Sequence, residues 1–187
     1  MPTDDDIKYR FCDLATQYYI SGRLAARAAQ APVYGNLLHH AVEMYLKGAL
    51  VGTLTLTQMK KPPYSHDVRA LWTEFKAGEK DNRLDRFDST IEALHAFESI
   101  RYPDEILDKG MQVPVTWKAW KAADAMTASG TIKMPPKYEV IMEHIDELVI
   151  EILERASVNP KAIPPAMFPA AQEALAYQNA QASKWAR

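Results

Sequence analysis

From residue 6 to about residue 29, the residues Ile7, Phe11, Leu14, Tyr18, Gly22 and Ala25 recur at steps of three and four. That period places them on one stripe and predicts a long amphipathic helix. Pro32, in "QAPVYGN", breaks it. A second helix is predicted from about 33 to 57, ended by Pro62 and Pro63. Ser65 is the expected N-cap of a third, short helix carrying Val68, Leu71, Trp72 and Phe75, with Asp67 in its first turn. Leu84, Phe87, Ile91, Leu94, Phe97 and Ile100 predict a fourth, capped by Asp81 and stopped near Arg101 by Pro103. Residues 103–136 read as irregular, with a short helix over "VTWKAWKAADAM". Tyr138, Ile141, Ile145, Leu148 and Ile152 mark a last long helix to about residue 156, with Glu143, Glu147 and Glu154 on its other side. The sum is an all-α, up-and-down antiparallel helical bundle over residues 1–158. Residues 159–187 form a proline-rich linker and an Ala/Gln-rich helix, expected to dock on the bundle or on a second subunit.

The stretch "GNLLHHAVEMYLKGAL" departs from the simple stripe. Asn36, His40, Glu43 and Lys47 step by four, three and four, with His39 beside them, and the remaining circumference is apolar. Such a helix belongs at the centre of a bundle, with its narrow polar strip facing either solvent or a groove. In the first case Glu43 and Lys47 are an ordinary pair one turn apart, worth ~0.2–0.5 kcal/mol. In the second the strip lines a ligand site. His66, at the entry to the third helix, and Arg101, in the turn after the fourth, are the further candidates for such a site.

Composition narrows the classes. The chain has 187 residues, enough for a core without staples, and 48% of them are apolar. Net charge is -2, so a basic surplus for gripping nucleic acid is missing. Cys12 is the only cysteine, which excludes an intrachain disulfide and a thiolate zinc site, and its apolar neighbours predict an inert core thiol. The start "MPTDDDIKYR" has no apolar signal region, and no apolar run approaches the ~18 residues of a membrane span. A cytoplasmic chain without membrane contact is the expectation.

Metal chemistry finds little support in the string alone. His40 and Glu43 lie one turn apart, but the second histidine of the HxxEH signature is missing. Glu92 and His95 form the one Glu-x-x-His pair, where di-iron bundles need two. No P-loop, G-x-G-x-x-G or G-x-S-x-G occurs. No metal and no cofactor are expected. Trp117 and Trp120 alternate with Lys118 and Lys121, a pattern that serves base stacking or, more simply, burial.

Four segments, "YYISGRLAA", "LLHHAVEMYLKGAL", "SHDVRALW" and "ESIRYPDE", occur in an order and spacing that resemble the HEPN family (higher eukaryotes and prokaryotes nucleotide-binding). The resemblance covers about residues 6–105. It implies a dimeric helical bundle that acts as a ribonuclease, often a toxin of a toxin–antitoxin pair, or as a non-catalytic nucleotide-binding module beside a nucleotidyltransferase-like partner. The ribonuclease members carry Arg, four to six residues, then His. Arg83, Arg86 and Arg101 all lack a histidine at that distance. The expected function is therefore a non-catalytic HEPN-like module that dimerises and binds a partner protein or nucleotide-like ligand through Asn36, His39, His40, Glu43, Lys47, His66 and Arg101. The alternatives are a metal-independent ribonuclease using an Arg/His pair from different helices, such as Arg101 with His39 or His66, and a purely structural subunit. A homodimer is expected from surplus apolar surface.

Overall fold

The computed structural model describes residues 2–110, 115–116 and 138–186. The fold is all-α. Helix α1 (Asp4–Arg27) begins two residues earlier than its stripe predicts, because Thr3 and Asp6 form a reciprocal capping box. Helix α2 (Val33–Ala49) packs along it and also meets the later helices. The close approach of α1 and α2 requires a small residue: a Cβ at Gly22 would lie 2.9 Å from the Leu38 side chain.

Helix α2 ends well before residue 57. Gly52 takes the left-handed φ of 91°, which reverses the chain, and Thr55 with Gln58 caps a separate short helix, α3 (Leu56–Met59). Helix α4 (Val68–Glu79) is capped by Asp67, whose carboxylate accepts from the amides of Arg69 and Ala70. Ser65 is not the cap; the helix starts too late for its hydroxyl to reach the free amides.

The predicted fourth helix is three pieces. A 3-10 turn (Asn82–Phe87), capped by Asp81, leads into α5 (Asp88–Ala96) and a second 3-10 turn (Phe97–Ile100). Leu84, Phe87, Ile91, Leu94, Phe97 and Ile100 are all buried as the periodicity requires. A three-residue step suits either helix type, so the stripe survives the change in winding. Helix α6 (Pro103–Lys109) occupies a stretch expected to be irregular, and Pro103 sits in its first turn, where a missing N–H costs nothing. The short helix expected around Trp117 and Trp120 lies outside the described residues.

Strands β1 (Val115–Thr116) and β2 (Val140–Ile141) make a two-residue parallel pairing, Val115 opposite Val140. Helix α7 (Met142–Arg155) follows, with Ile145, Leu148, Val149, Ile152 and Leu153 buried. At its end Arg155 bonds Glu79 at 3.0 Å and Asp81 at 2.7 Å, tying α7 to the end of α4. No described helix is long and apolar enough to cross a membrane.

The C-terminal segment packs on the bundle. Two 3-10 turns (Pro160–Ala162 and Pro164–Met167) precede α8 (Pro169–Ala176) and α9 (Ala182–Trp185). Trp185 is buried with its ring 5.7 Å from Tyr19. The principal polar fastening is Arg23 of α1, which is fully buried. It donates to the carbonyls of Ala174 (2.8 Å) and Tyr177, and it pairs with Asp146 of α7, which also accepts from the Tyr19 hydroxyl at 2.5 Å. Burial raises the Asp146 carboxyl above the usual range, and Arg23 and Tyr19 oppose it. The arginine thus joins α1, α7 and the C-terminal segment at one point.

Removing Asp146 leaves that guanidinium buried without its counter-charge, at a cost of ~3–5 kcal/mol. Asp146→Ala is expected to lose this amount in urea unfolding; a loss below about 1 kcal/mol would show that the pair is not what holds the three pieces together.

Candidate functional site

The polar strip of α2 does not face solvent. His39, Glu43 and Lys47 are buried, and His40 is half-buried. Three neighbours cover the strip: Tyr18 from α1, the chain entering α4, and the end of α5 with the 3-10 turn after it. Tyr18 packs its ring 5.6 Å from that of His40. The strip is therefore the floor of a polar crevice, covered along most of its length, and not a solvent-facing side of the helix.

Glu43 is the hub. Its Oε1 accepts from the Lys47 ammonium at 2.6 Å. Lys47 also donates to the Ser65 carbonyl at 2.7 Å, clamping the entry to α4 onto α2. Oε2 faces three imidazoles: His40 Nδ1 at 3.4 Å, His66 Nδ1 at 3.5 Å and His39 Nε2 at 3.8 Å. Burial works to raise the Glu43 carboxyl, but bonds from His40 and Lys47 and the nearby positive charge outweigh it and hold the group down at about 2. Glu43 is thus a carboxylate at neutral pH.

His39 is fixed from its other side. Its Nδ1 lies 3.0 Å from the Leu94 carbonyl at the end of α5. A carbonyl only accepts, so Nδ1 carries the proton and Nε2 of the neutral ring offers its lone pair. Among the described residues that buried Nε2 has no hydrogen-bond partner; it lies 3.8 Å from Glu43 and 3.7 Å from Glu98. Burial lowers the pKa of His39, which keeps the ring neutral.

Arg101 closes the rim. Its Nη2 lies 3.3 Å from His40 Nε2 and 2.9 Å from Glu98. A guanidinium only donates, so His40 Nε2 accepts and its Nδ1–H points at Glu43. Arg101 and the His40 side chain are 29% and 28% exposed, and His66 is 59% exposed, so these three form the accessible edge of the crevice.

The structure therefore brings together His39, His40, Glu43, Lys47, His66 and Arg101, separated by up to 62 positions in the chain. Asn36 sits half-buried one turn before His40, and among the described residues no hydrogen bond joins its side chain to the cluster. The carboxylate that pairs with Arg101 is Glu98. Its spacing three residues before Arg101 was the available signal. Tyr18 and the Leu94 carbonyl carried no local signal, since both act across the bundle. Cys12 is buried in the core, and burial pushes its thiol up to about 12, which makes it inert. A separate cavity of about 320 Å³ opens between α5 and α7, lined by Thr90, Ala93, Tyr138 and His144 among others; it shares none of the predicted residues.

Two pH effects run in one direction. The Glu43 carboxyl is lower folded than its ordinary 4.5, so its contribution is full above about pH 4.5 and is lost as pH falls toward 2. The His39 ring is lower folded than its ordinary 6.5, so the unfolded chain binds that proton more readily and stability falls below about pH 6.5. In EDTA-containing buffer the urea midpoint is expected to drop steadily on acidification. Glu43→Gln is expected to lose ~3 kcal/mol at neutral pH, because Lys47 is left buried and unpaired. It should also flatten the acid limb; an unchanged acid slope in this variant would exclude Glu43 as its source.

No protein-family model, no curated protein and no solved structure matches this chain.

Proposed function

We propose that this chain is a HEPN-like, non-catalytic helical module that binds a nucleotide-like ligand by its phosphate at the His40–Arg101 edge. One observation carries the reading: a half-exposed guanidinium and a half-exposed imidazole, 61 positions apart in sequence, lie 3.3 Å apart at the mouth of a polar crevice. Arg101 presents a planar fork of donors suited to phosphate oxygens. Glu98, 31% exposed, occupies part of that fork, and an incoming phosphate would take its place. His66, across the crevice, supplies a second imidazole. The order of the four HEPN-like segments supports the same class of ligand.

A ribonuclease is the second reading, and one feature favours it. Glu43 holds His40 Nδ1–H, so Nε2 is directed at the rim, as a general base requires. Arg101 would then stabilise charge on the phosphate. The pair comes from α2 and the turn after the second 3-10 segment, and so escapes the Arg-to-His spacing rule.

We also propose a homodimer. Leu14 (40% exposed) on α1 and Phe168 (67%) before α8 each border an apolar groove on the outer surface. A second copy of this face would cover them.

Nucleotides at about 100 times their Kd are expected to stabilise the protein by ~2.7 kcal/mol, read as a rise in melting temperature. Arg101→Ala should abolish the rise and His40→Ala reduce it; a rise that survives Arg101→Ala places the ligand elsewhere. Cleavage of labelled RNA by the wild type, lost in His40→Ala, would replace the binding reading with the ribonuclease one. Sedimentation equilibrium at micromolar concentration is expected to give a dimer mass, and a monomer mass would refute the dimer.

A further inference from the structure

We propose that His39, His40 and Glu43 form a binding site for a divalent transition metal of the zinc class, with His66 as the fourth ligand. The three α2 donors lie within 4.8 Å of one another. Glu43 Oε2 is 3.4 Å from His40 Nδ1, 3.5 Å from His66 Nδ1 and 3.8 Å from His39 Nε2. Two ligands held ~2.0–2.1 Å from a tetrahedral ion are separated by roughly 3.4 Å. The spacings from Glu43 match or slightly exceed that separation, so small side-chain motions would close the shell around the three α2 donors, and His66, which lies outside their 4.8 Å group, would swing in from its exposed position to complete it. Imidazole with one carboxylate is a donor set that suits zinc, cobalt and nickel over magnesium or calcium.

The independent observation is the state of His39. Its Nε2 lone pair is buried, has no hydrogen-bond partner among the described residues and faces the carboxylates of Glu43 and Glu98. At 3.7 and 3.8 Å neither contact is a hydrogen bond. Lone pair opposite carboxylate is repulsive, and a cation between them turns the repulsion into coordination. The outer supports of a metal site are already in place. The Leu94 carbonyl holds His39 Nδ1–H, and Lys47 holds the other oxygen of Glu43. The α2 spacing, two histidines followed by Glu43, supplies i,i+4 and i,i+3 pairs to one point, a geometry hidden when His40 and Glu43 are considered alone.

Coordination has a consequence for the rim. His40 now carries its proton on Nδ1 and accepts from Arg101 at Nε2. Binding metal through Nδ1 moves that proton, by way of solvent, to Nε2. Nε2–H then opposes a guanidinium donor, and Arg101 must turn away, keeping Glu98. Metal binding thus releases Arg101 from His40. The metal site does not rest on the nucleotide reading, because its ligands lie beneath the Arg101 contact.

Full-length protein stripped with EDTA and dialysed is titrated with Zn²⁺ by calorimetry and with Co²⁺ by visible absorption. The expected result is one equivalent per chain and the intense ligand-field bands of four-coordinate cobalt. Loss of a supporting partner typically weakens metal binding ~10–100-fold, so loss of a ligand should cost at least ~100-fold in His40→Ala and His39→Ala. His66→Ala, at an exposed position, keeps the test valid if a buried variant does not fold; it should weaken binding at least ~10-fold and alter the cobalt spectrum. No stoichiometric binding to the wild type overturns the proposal. So does binding undiminished in His40→Ala and His66→Ala, which would place the ion elsewhere. Nucleotide thermal shifts repeated in EDTA separate this outcome from failure of the phosphate reading.

Discussion

The interior position of α2 constrains everything built around it. Its apolar circumference is buried by α1, α4, α5 and α7, so most of its one polar strip, Glu43 above all, is withdrawn from bulk water. A carboxylate there must be met by positive charge and hydrogen bonds or be neutralised. Glu43 is met by Lys47 on one oxygen and by imidazoles on the other. From that single requirement follows the position of the α4 entry, clamped through Ser65. The end of α5 is located in the same way, because His39 needs the Leu94 carbonyl.

Much of this was legible in the chain, and what was not has identifiable causes. The stripe from Leu84 to Ile100 predicts burial correctly although the backbone is wound partly as 3-10 helix, since burial depends on the three-residue step and not on the winding. The polar strip of α2 is visible from its four-three-four spacing. Its inward orientation is not, because a narrow strip suits a wet face equally well, and only the packing of distant segments decides between them. His39 is off the strip by one position and reads as its neighbour; the fold makes it the best-anchored donor. Asp146 is the clearest loss. It sits among Glu143 and Glu147, looks like one more charge on a solvated face, and is buried because Arg23 reaches it from 123 positions away. Pro103 carried a usable signal, a proline at a helix start, that its stronger reading as a helix stop obscured.

The two buried charge networks differ in what they do for the fold. The Arg23 network bonds carbonyls of the C-terminal segment and so fastens a stretch whose own helix propensity is marginal. The Lys47 half of the α2 network has a similar task through Ser65. The His39, His40 and Arg101 half does so only through His39 Nδ1 at the Leu94 carbonyl: among the described residues Arg101 reaches side chains, Glu98 and His40, and the contacts of His39 with its two carboxylates are too long for hydrogen bonds.

That difference bears on function through energetics. Buried ion pairs replaced by well-packed apolar residues of similar volume are often neutral or stabilising by ~1–4 kcal/mol. Stability alone therefore gives no reason for three imidazoles to converge on one carboxylate oxygen inside a bundle. The Lys47–Glu43 pair explains itself, because Ser65 needs a donor. The histidine side of the crevice lacks such an explanation, leaves a buried nitrogen unsatisfied, and opens at a half-exposed arginine. An arrangement that costs the fold something, and that ends at a surface of complementary chemistry, is the form a binding site takes when its ligand supplies the missing interaction.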